Sequence, residues 1–427
     1  MRKIFLFFLL QGYIMAAVLM HIESDGVKIP VIFEQDKNLP VASVEFVFTN
    51  AGALASKKGG LASLAADLLN EGSKSKGALS FSKELEDRAI ELSVNVGNET
   101  LVFSIDVLKE QFAFALQKLI ELLQDPNYTQ ETLNKIKTKR LGVLARKADD
   151  NDYLANINLK ELLFANTPLA LPRLGTIESI KTISLDDIKK FIESHLKKNS
   201  LIVVVGGDFG NEEAKEIAKK VAAILPKGKV QELPKFQTNA TPKTKEIFKE
   251  TKQAYIYFGA PYNMDFSNKK EYVIGKLASF ILGGGGFGSR LMEEVRVKRG
   301  LAYSAYSRFI VNKTNSYFFG YLQTKVESQK EAIKVVKEVI EQFLQKGVTK
   351  EELESAKRFF IGSEPLRNET LSQRVGRAFR EYYDGLGLGF SKEQLEVIKN
   401  ITLDEINNFI KKHQEIKNLS FSIVTKK

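Results

Sequence analysis

The chain has no cysteine among its 427 residues. Disulfides, a thiol nucleophile and cysteine-ligated metals are therefore excluded. Histidine is nearly as scarce. His21, His195 and His413 are the only three, and no two are close in sequence. That count removes histidine-rich catalytic metal sites from any account that uses this chain alone. Neither His195 nor His413 has a credible Ser/Asp context, so an unaided serine-type hydrolase also lacks its parts. Beyond residue 20 no run is long and apolar enough to span a bilayer, so no membrane span is expected in the mature chain. A basic stripe interleaved with aromatics is missing too. The net charge of +11, from 63 basic and 52 acidic residues, is spread along the chain. Spread lysine favours solubility and weak attraction to anionic surfaces, and no nucleic-acid partner is expected.

What is present begins with "MRKIFLFFLLQGYIMAAVLM". Arg2 and Lys3 precede an apolar run from Ile4 to Met20, broken only at Gln11 and Gly12. This reads as a signal peptide over residues 1–21, with processing after Ala16 or Ala17. The protein is then exported, to the periplasm of a two-membrane cell or to the outside. The rival reading is an uncleaved anchor.

The organisation is a duplication. "ISLDDIKKFIESHLKKNSLIVVV" from Ile183 matches "ITLDEINNFIKKHQEIKNLSFSIV" from Ile401, at an offset of 218 residues. Ile183, Leu185, Asp186, Ile188, Phe191, Ile192 and His195 meet Ile401, Leu403, Asp404, Ile406, Phe409, Ile410 and His413. Each copy reads as a capped amphipathic helix followed by an apolar strand. His195 and His413 share one place in the repeat, which suits packing or closing of the last helical turn better than a ligand role. "TQETLNKIK" at Thr129 matches "TKEELESAK" at Thr349, each after a long amphipathic helix (111–124 and 329–345). Strands "VASVEFVF", "ELSVNV" and "LVFSIDV" have counterparts in "QAYIYFGA", "LAYSAYSRF" and "SYFFGYLQ". Strands followed by helices, twice over, imply an α+β fold of two homologous domains, each a mostly antiparallel sheet covered by helices. The boundary falls in the proline- and lysine-rich stretch 226–245. The domains are read as 22–230 and 248–427 with a linker at 231–247. A stretched linker would let the halves face each other across a gap.

Two stretches carry chemistry. "LGGGGFGSRLMEEVRVKRGLAYS" occupies residues 282–304. Gly283, Gly284, Gly285 and Gly286 end a helix and allow a turn through positive φ. Ser289 is expected to cap the next helix, with Leu291, Met292 and Val295 as its apolar face and Gly300 as its end. Arg296 offers a planar fork of donors and Tyr303 one hydroxyl. A phosphate loop would need Lys and Ser/Thr directly after the last glycine. Here Phe287 intervenes and Arg290 follows Ser289. The second stretch, "GGLASLAADLLNEGS" (59–73), reads as an amphipathic helix. Leu61, Leu64, Ala65, Leu68 and Leu69 form its apolar face, and Ser63, Asp67 and Asn70 its polar one.

With the repeat and these motifs in hand, the chain resembles the M16 family of zinc peptidases (insulinase, pitrilysin, mitochondrial processing peptidase), in its short bacterial form. The resemblance covers essentially the whole mature chain. It implies that Arg296 holds substrate main chain and that the Tyr303 hydroxyl helps hold an oxyanion. Active members carry His-x-x-Glu-His on the first long helix and a distant glutamate. These bind zinc and activate water. Placed by "GGLA" and "EGS", Ser63, Ala66 and Asp67 stand at the first histidine, the glutamate and the second histidine. Val143 stands at the distant glutamate. All four groups are missing, so the zinc motif is degenerate. Asp67 and Glu71 are expected to be solvated carboxylates, not a cation site. No cofactor is expected on this chain.

The resemblance further implies a division of labour. This chain would be the substrate-binding, oxyanion-stabilising subunit of a heteromeric zinc metallopeptidase. A partner M16 chain carrying His-x-x-Glu-His would supply the zinc. The substrate would be a peptide or unfolded segment, bound partly as an added strand. A homodimer is compatible with the sequence as well. The alternative is a non-catalytic scaffold or peptide-binding protein that kept the fold.

Overall fold

The computed structural model describes residues 17–427. Eleven strands form two sheets among the described residues. The first holds β1 (Val18–Ser24), β2 (Val27–Gln35), β3 (Val41–Thr49), β4 (Glu91–Val96), β5 (Thr100–Leu108) and β6 (Leu201–Gly207), in the order β1-β2-β6-β3-β5-β4. The second holds β7 (Thr244–Phe248), β8 (Gln253–Pro261), β9 (Ala302–Val311), β10 (Ser316–Lys325) and β11 (Ser420–Thr425), in the order β7-β11-β8-β10-β9. Apart from β1 the two orders are the same. In each, one pair is parallel (β2 with β6, β7 with β11) and the others are antiparallel. The duplication read in the sequence is thus a duplication of sheet topology.

Burial explains the strand patterns. β3 and β5 alternate, with Val44, Phe46, Phe48, Leu101, Phe103 and Ile105 in one core. Helices such as Phe112–Gln124 and Leu185–His195 cover that face with their apolar stripes. β6 and β11 are different, because every residue in them is buried. A strand buried on both faces needs cover on both.

That second cover comes from the other half. The helix Asn151–Phe164 lies on β8 and β11, where Ala155, Leu159, Leu163 and Phe164 pack with Tyr257, Tyr317 and Val424. The helix Leu371–Tyr383 lies on β2 and β6, where Val375 and Ala378 pack with Ile32, Val47, Ile202 and Val204. The two helices hold matching places in the repeat, and each has crossed to its neighbour's sheet. Gly206 and Gly259 make room for them. A Cβ there would lie 2.7 Å from Val375 Cγ1 and 2.8 Å from Leu163 Cδ1 respectively. The halves therefore do not stand apart across a gap. Glu34 and Asp36 both pair with Arg374 across the same seam.

Two boundaries of the sequence reading fall inside strands. Residues 1–16 of the expected leader lie outside the described residues, but Val18–His21 belong to β1, paired with β2 from Val18↔Phe33 onward. Apolar leader and apolar edge strand merge in composition. Processing after Ala16 or Ala17 would leave β1 whole, whereas a boundary after residue 21 would cut it. Thr244, Lys245, Glu246 and Ile247, inside the stretch read as linker, form most of β7. Its Lys/Glu alternation conceals a strand whose partner residues on β11 are 177 positions away in sequence (Thr244↔Phe421). Leu233 and Phe236 of the linker pack on the interdomain cluster. No helix among the described residues is long and apolar enough to cross a membrane.

Candidate functional site

The helix Leu61–Leu69 starts at Gly60, whose φ of +89° lets the chain enter the helix from a tight turn. Its apolar face fills the first core. Ala66 is part of that face, only 4% exposed, and offers no base. Ser63 and Asp67 project to the opposite side and meet a residue the sequence reading passed over. Arg140, on the helix Gln130–Lys147, is 7% exposed. Its Nη1 and Nη2 each donate to Ser63 Oγ at 3.0 Å, and Nη2 donates to Asp67 Oδ2 at 2.5 Å. Nη1 also donates to the Leu174 carbonyl at 3.2 Å. Val143, one turn further along the same helix, is half-buried and joins none of these bonds.

The guanidinium therefore lies between Ser63 and Asp67, the two positions that the resemblance would give to metal-binding histidines. The residues present do not fit zinc. One hydroxyl and one carboxylate remain as donors, and a cation already holds both. Glu71 is no second ligand either, since Lys135 (2.5 Å) and Lys139 (3.6 Å) pair with it. Asp67 and Glu71 are thus ion-paired side chains, where solvated carboxylates were expected. No cluster of three His/Cys/Asp/Glu residues suited to a metal occurs among the described residues.

Asn70 closes a neighbouring feature. Its Nδ2 donates to the Val94 carbonyl and its Oδ1 accepts from the Val94 N–H, both at 2.8 Å. Val94 sits mid-way along the edge strand β4, so its outward backbone pair is already bonded. The second sheet has a lighter version of the same device. Ser279 Oγ accepts from the N–H of Phe309, on edge strand β9, at 3.0 Å.

The glycine-rich segment is built from short turns. A π-helical turn, Phe280–Gly284, is followed by a 3₁₀ turn, Gly286–Gly288, then by Arg290–Met292 and a second π-helical turn, Glu293–Val297. Of Gly283, Gly284, Gly285 and Gly286, only Gly286 has positive φ, at +59°. Gly283 is needed for closeness instead, because a Cβ there would fall 2.2 Å from Ser307 Oγ on β9. Ser289 does not cap the following helix. Its buried hydroxyl donates back to the Gly286 carbonyl at 2.7 Å, which ties the loop to itself. Arg290 anchors the segment through Glu352 (2.6 Å) and the Gly347 carbonyl (2.7 Å).

On this base Arg296 and Tyr303 come together. Arg296 Cζ lies 4.5 Å from the Tyr303 ring centroid and 4.6 Å from that of Phe287. The cation thus lies over both rings. Among the described residues no carboxylate pairs with it, so its N–H edges are available. Tyr303 is 80% exposed and Phe287 66% exposed. Phe287, read in the sequence only as the residue that spoils a phosphate loop, is the second jaw of a clamp.

The two repeated histidines are structural. His195 Nδ1 shares a hydrogen bond with the Phe191 carbonyl (2.7 Å) and its ring packs on Phe191. Burial lowers its pKa and favours the neutral ring. His413 Nδ1 meets Glu415 at 2.8 Å between Tyr262 and Phe409.

A duplicated α+β fold, a guanidinium held by Ser63 and Asp67, and an open Arg–Tyr pair are the features to set beside known proteins. The insulinase model of peptidase family M16 matches residues 30–177, and the model described as the peptidase M16 inactive domain matches residues 182–360. The chain is 44% identical to the Helicobacter pylori protein called non-peptidase homolog YmxG, over 100% of this chain and 99% of that one. It is 23% identical, over 79% of its length and 78% of the other, to a Bacillus subtilis protein called uncharacterized zinc protease YmxG. A solved structure described as a peptidase M16 inactive domain from Pseudomonas fluorescens superposes with a TM-score of 0.88 at 25% identity, covering 96% of this chain and 98% of that one. The chain belongs to the M16 family.

Proposed function

We propose that this protein is the non-zinc subunit of a heteromeric M16 peptidase, binding peptide and holding an oxyanion through Tyr303 while Arg296 holds substrate main chain. One observation carries the reading. The Arg296 guanidinium lies over the Phe287 and Tyr303 rings with no carboxylate partner among the described residues, beside an exposed phenol. A scaffold has no use for that arrangement. A partner chain would bring His-x-x-Glu-His and the zinc, which Ser63, Ala66 and Asp67 do not supply. A peptide adding as a strand at β4 would have to displace Asn70 from Val94. Export, by the apolar residues 4–20 behind Arg2 and Lys3, belongs to the same reading.

The test is affinity capture of the full chain from its native cell, followed by mass spectrometry for a chain carrying His-x-x-Glu-His. The purified pair should cleave an unfolded peptide, and chelator should stop it. Full activity in a pair carrying both Tyr303→Phe and Arg296→Ala would remove the assigned roles. Capture of no such chain would favour the scaffold.

A further inference from the structure

A cavity of about 420 Å³ opens between the helix Asn151–Phe164 and the segment 168–174, with Tyr257 of the second sheet as its far wall. Its rim reaches Leu174, the residue whose carbonyl accepts from Arg140. The volume lies within the ordinary range for a ligand site. Leu54, Leu169 and Leu171 give it an apolar side, and Asn98 and Asn156 neutral donors.

The charges in it do not balance locally. Asp150 is held by Lys147 (2.5 Å) and by the Tyr153 N–H (3.0 Å), and Asp152 accepts from the Tyr257 hydroxyl (3.3 Å). Lys160 and Arg173 also line the cavity, and neither has a carboxylate partner among the described residues. Burial and the neighbouring Arg173 both lower the pKa of Lys160. Lys160 is half-buried and Arg173 exposed, and the lining carries three cations against two acids, an excess of positive charge that an incoming anion offsets.

We propose that this cavity is a binding pocket for the carboxylate of an acidic peptide side chain, with Lys160 and Arg173 as its cationic contacts. A carboxylate suits the pair because it accepts from a guanidinium fork and an ammonium together. The leucines and Tyr257 then pack against the aliphatic stem. The pocket needs no partner chain, so its test is independent of the function proposed above.

The experiment uses the full chain and two fluorescent, end-blocked pentapeptides that differ only in a central glutamate or glutamine. Fluorescence anisotropy at physiological salt should show the glutamate peptide binding about tenfold more tightly. Lys160→Met and Arg173→Gln should each bring it to about the level of the glutamine peptide. Replacing the exposed Lys330 with Met should change nothing, which controls for the overall positive charge. Thermal unfolding of the two pocket variants should match or exceed that of the parent, because an unpaired charge has gone. Equal binding of the two peptides, or unchanged binding in Lys160→Met, would overturn the proposal. So would displacement by inorganic phosphate at concentrations where glutarate has no effect.

Discussion

Two arginines stand one in each half of this duplicated molecule, and their surroundings are opposite. Arg140 is buried, and its edges are spent on Ser63, Asp67 and the Leu174 carbonyl. Arg296 is held by aromatic faces, and its edges stay open beside an exposed hydroxyl. A guanidinium bonded at its edges is a structural cation. One bonded only at its faces is oriented yet still able to donate. In the first half the guanidinium is spent on Ser63 and Asp67, and Asn70 closes the adjoining strand edge. In the second half the guanidinium has no carboxylate partner among the described residues.

If that contrast is right, the largest effect belongs to chemistry in the open half. In the zinc-bearing pair, Tyr303→Phe should lower kcat by about 100- to 1000-fold, the usual loss for one oxyanion donor. Assembly, read by gel filtration, should not change. The next effect belongs to the closed half. Arg140→Ala leaves Asp67 and Ser63 beside a cavity and should lower unfolding free energy by about 2 kcal/mol, read by urea melts. Water reaching the half-exposed Asp67 keeps the loss below that of a fully buried pair. A neutral result there would mean that the guanidinium does not replace a metal structurally. Smaller again is Asn70→Ala, at about 1 kcal/mol for two lost bonds. Its sharper readout is hydrogen exchange. The Val94 amide should exchange faster, while the Phe309 amide, held by Ser279, should not.

The sequence made the duplication legible because helix and strand periods repeat at a constant offset. It also located Arg296 and Tyr303, because a turn and a strand start fix both residues within one short stretch. What it hid depends on distant chain. The crossing of helices 151–164 and 371–383 leaves no local signal, since each is amphipathic whichever sheet it covers. The only hints were β6 and the residues Gly206 and Gly259, whose meaning needs the partner helix. Arg140 was missed because the family resemblance drew attention to Val143, one turn away, whereas a long side chain reaches back to Ser63. Ser289 looked like a cap from its place before a helix. Its hydroxyl donates to the Gly286 carbonyl instead.

The smallest expected effect is the most discriminating. Arg296→Ala, in the chain alone, removes two face-on cation–aromatic contacts and no edge bond. Exposed contacts of this kind contribute about 0.5–1 kcal/mol each at most. Ordering a long, flexible side chain between two exposed rings offsets part of that gain. The net loss in unfolding free energy should therefore stay below about 1 kcal/mol, clearly less than for Arg140→Ala. A loss as large as that of Arg140→Ala would make Arg296 a second structural cation. The two halves would then be equally closed, and the scaffold reading would gain. A small loss alongside a large fall in activity of the assembled pair would place Arg296's contribution in binding substrate, where its open edges point.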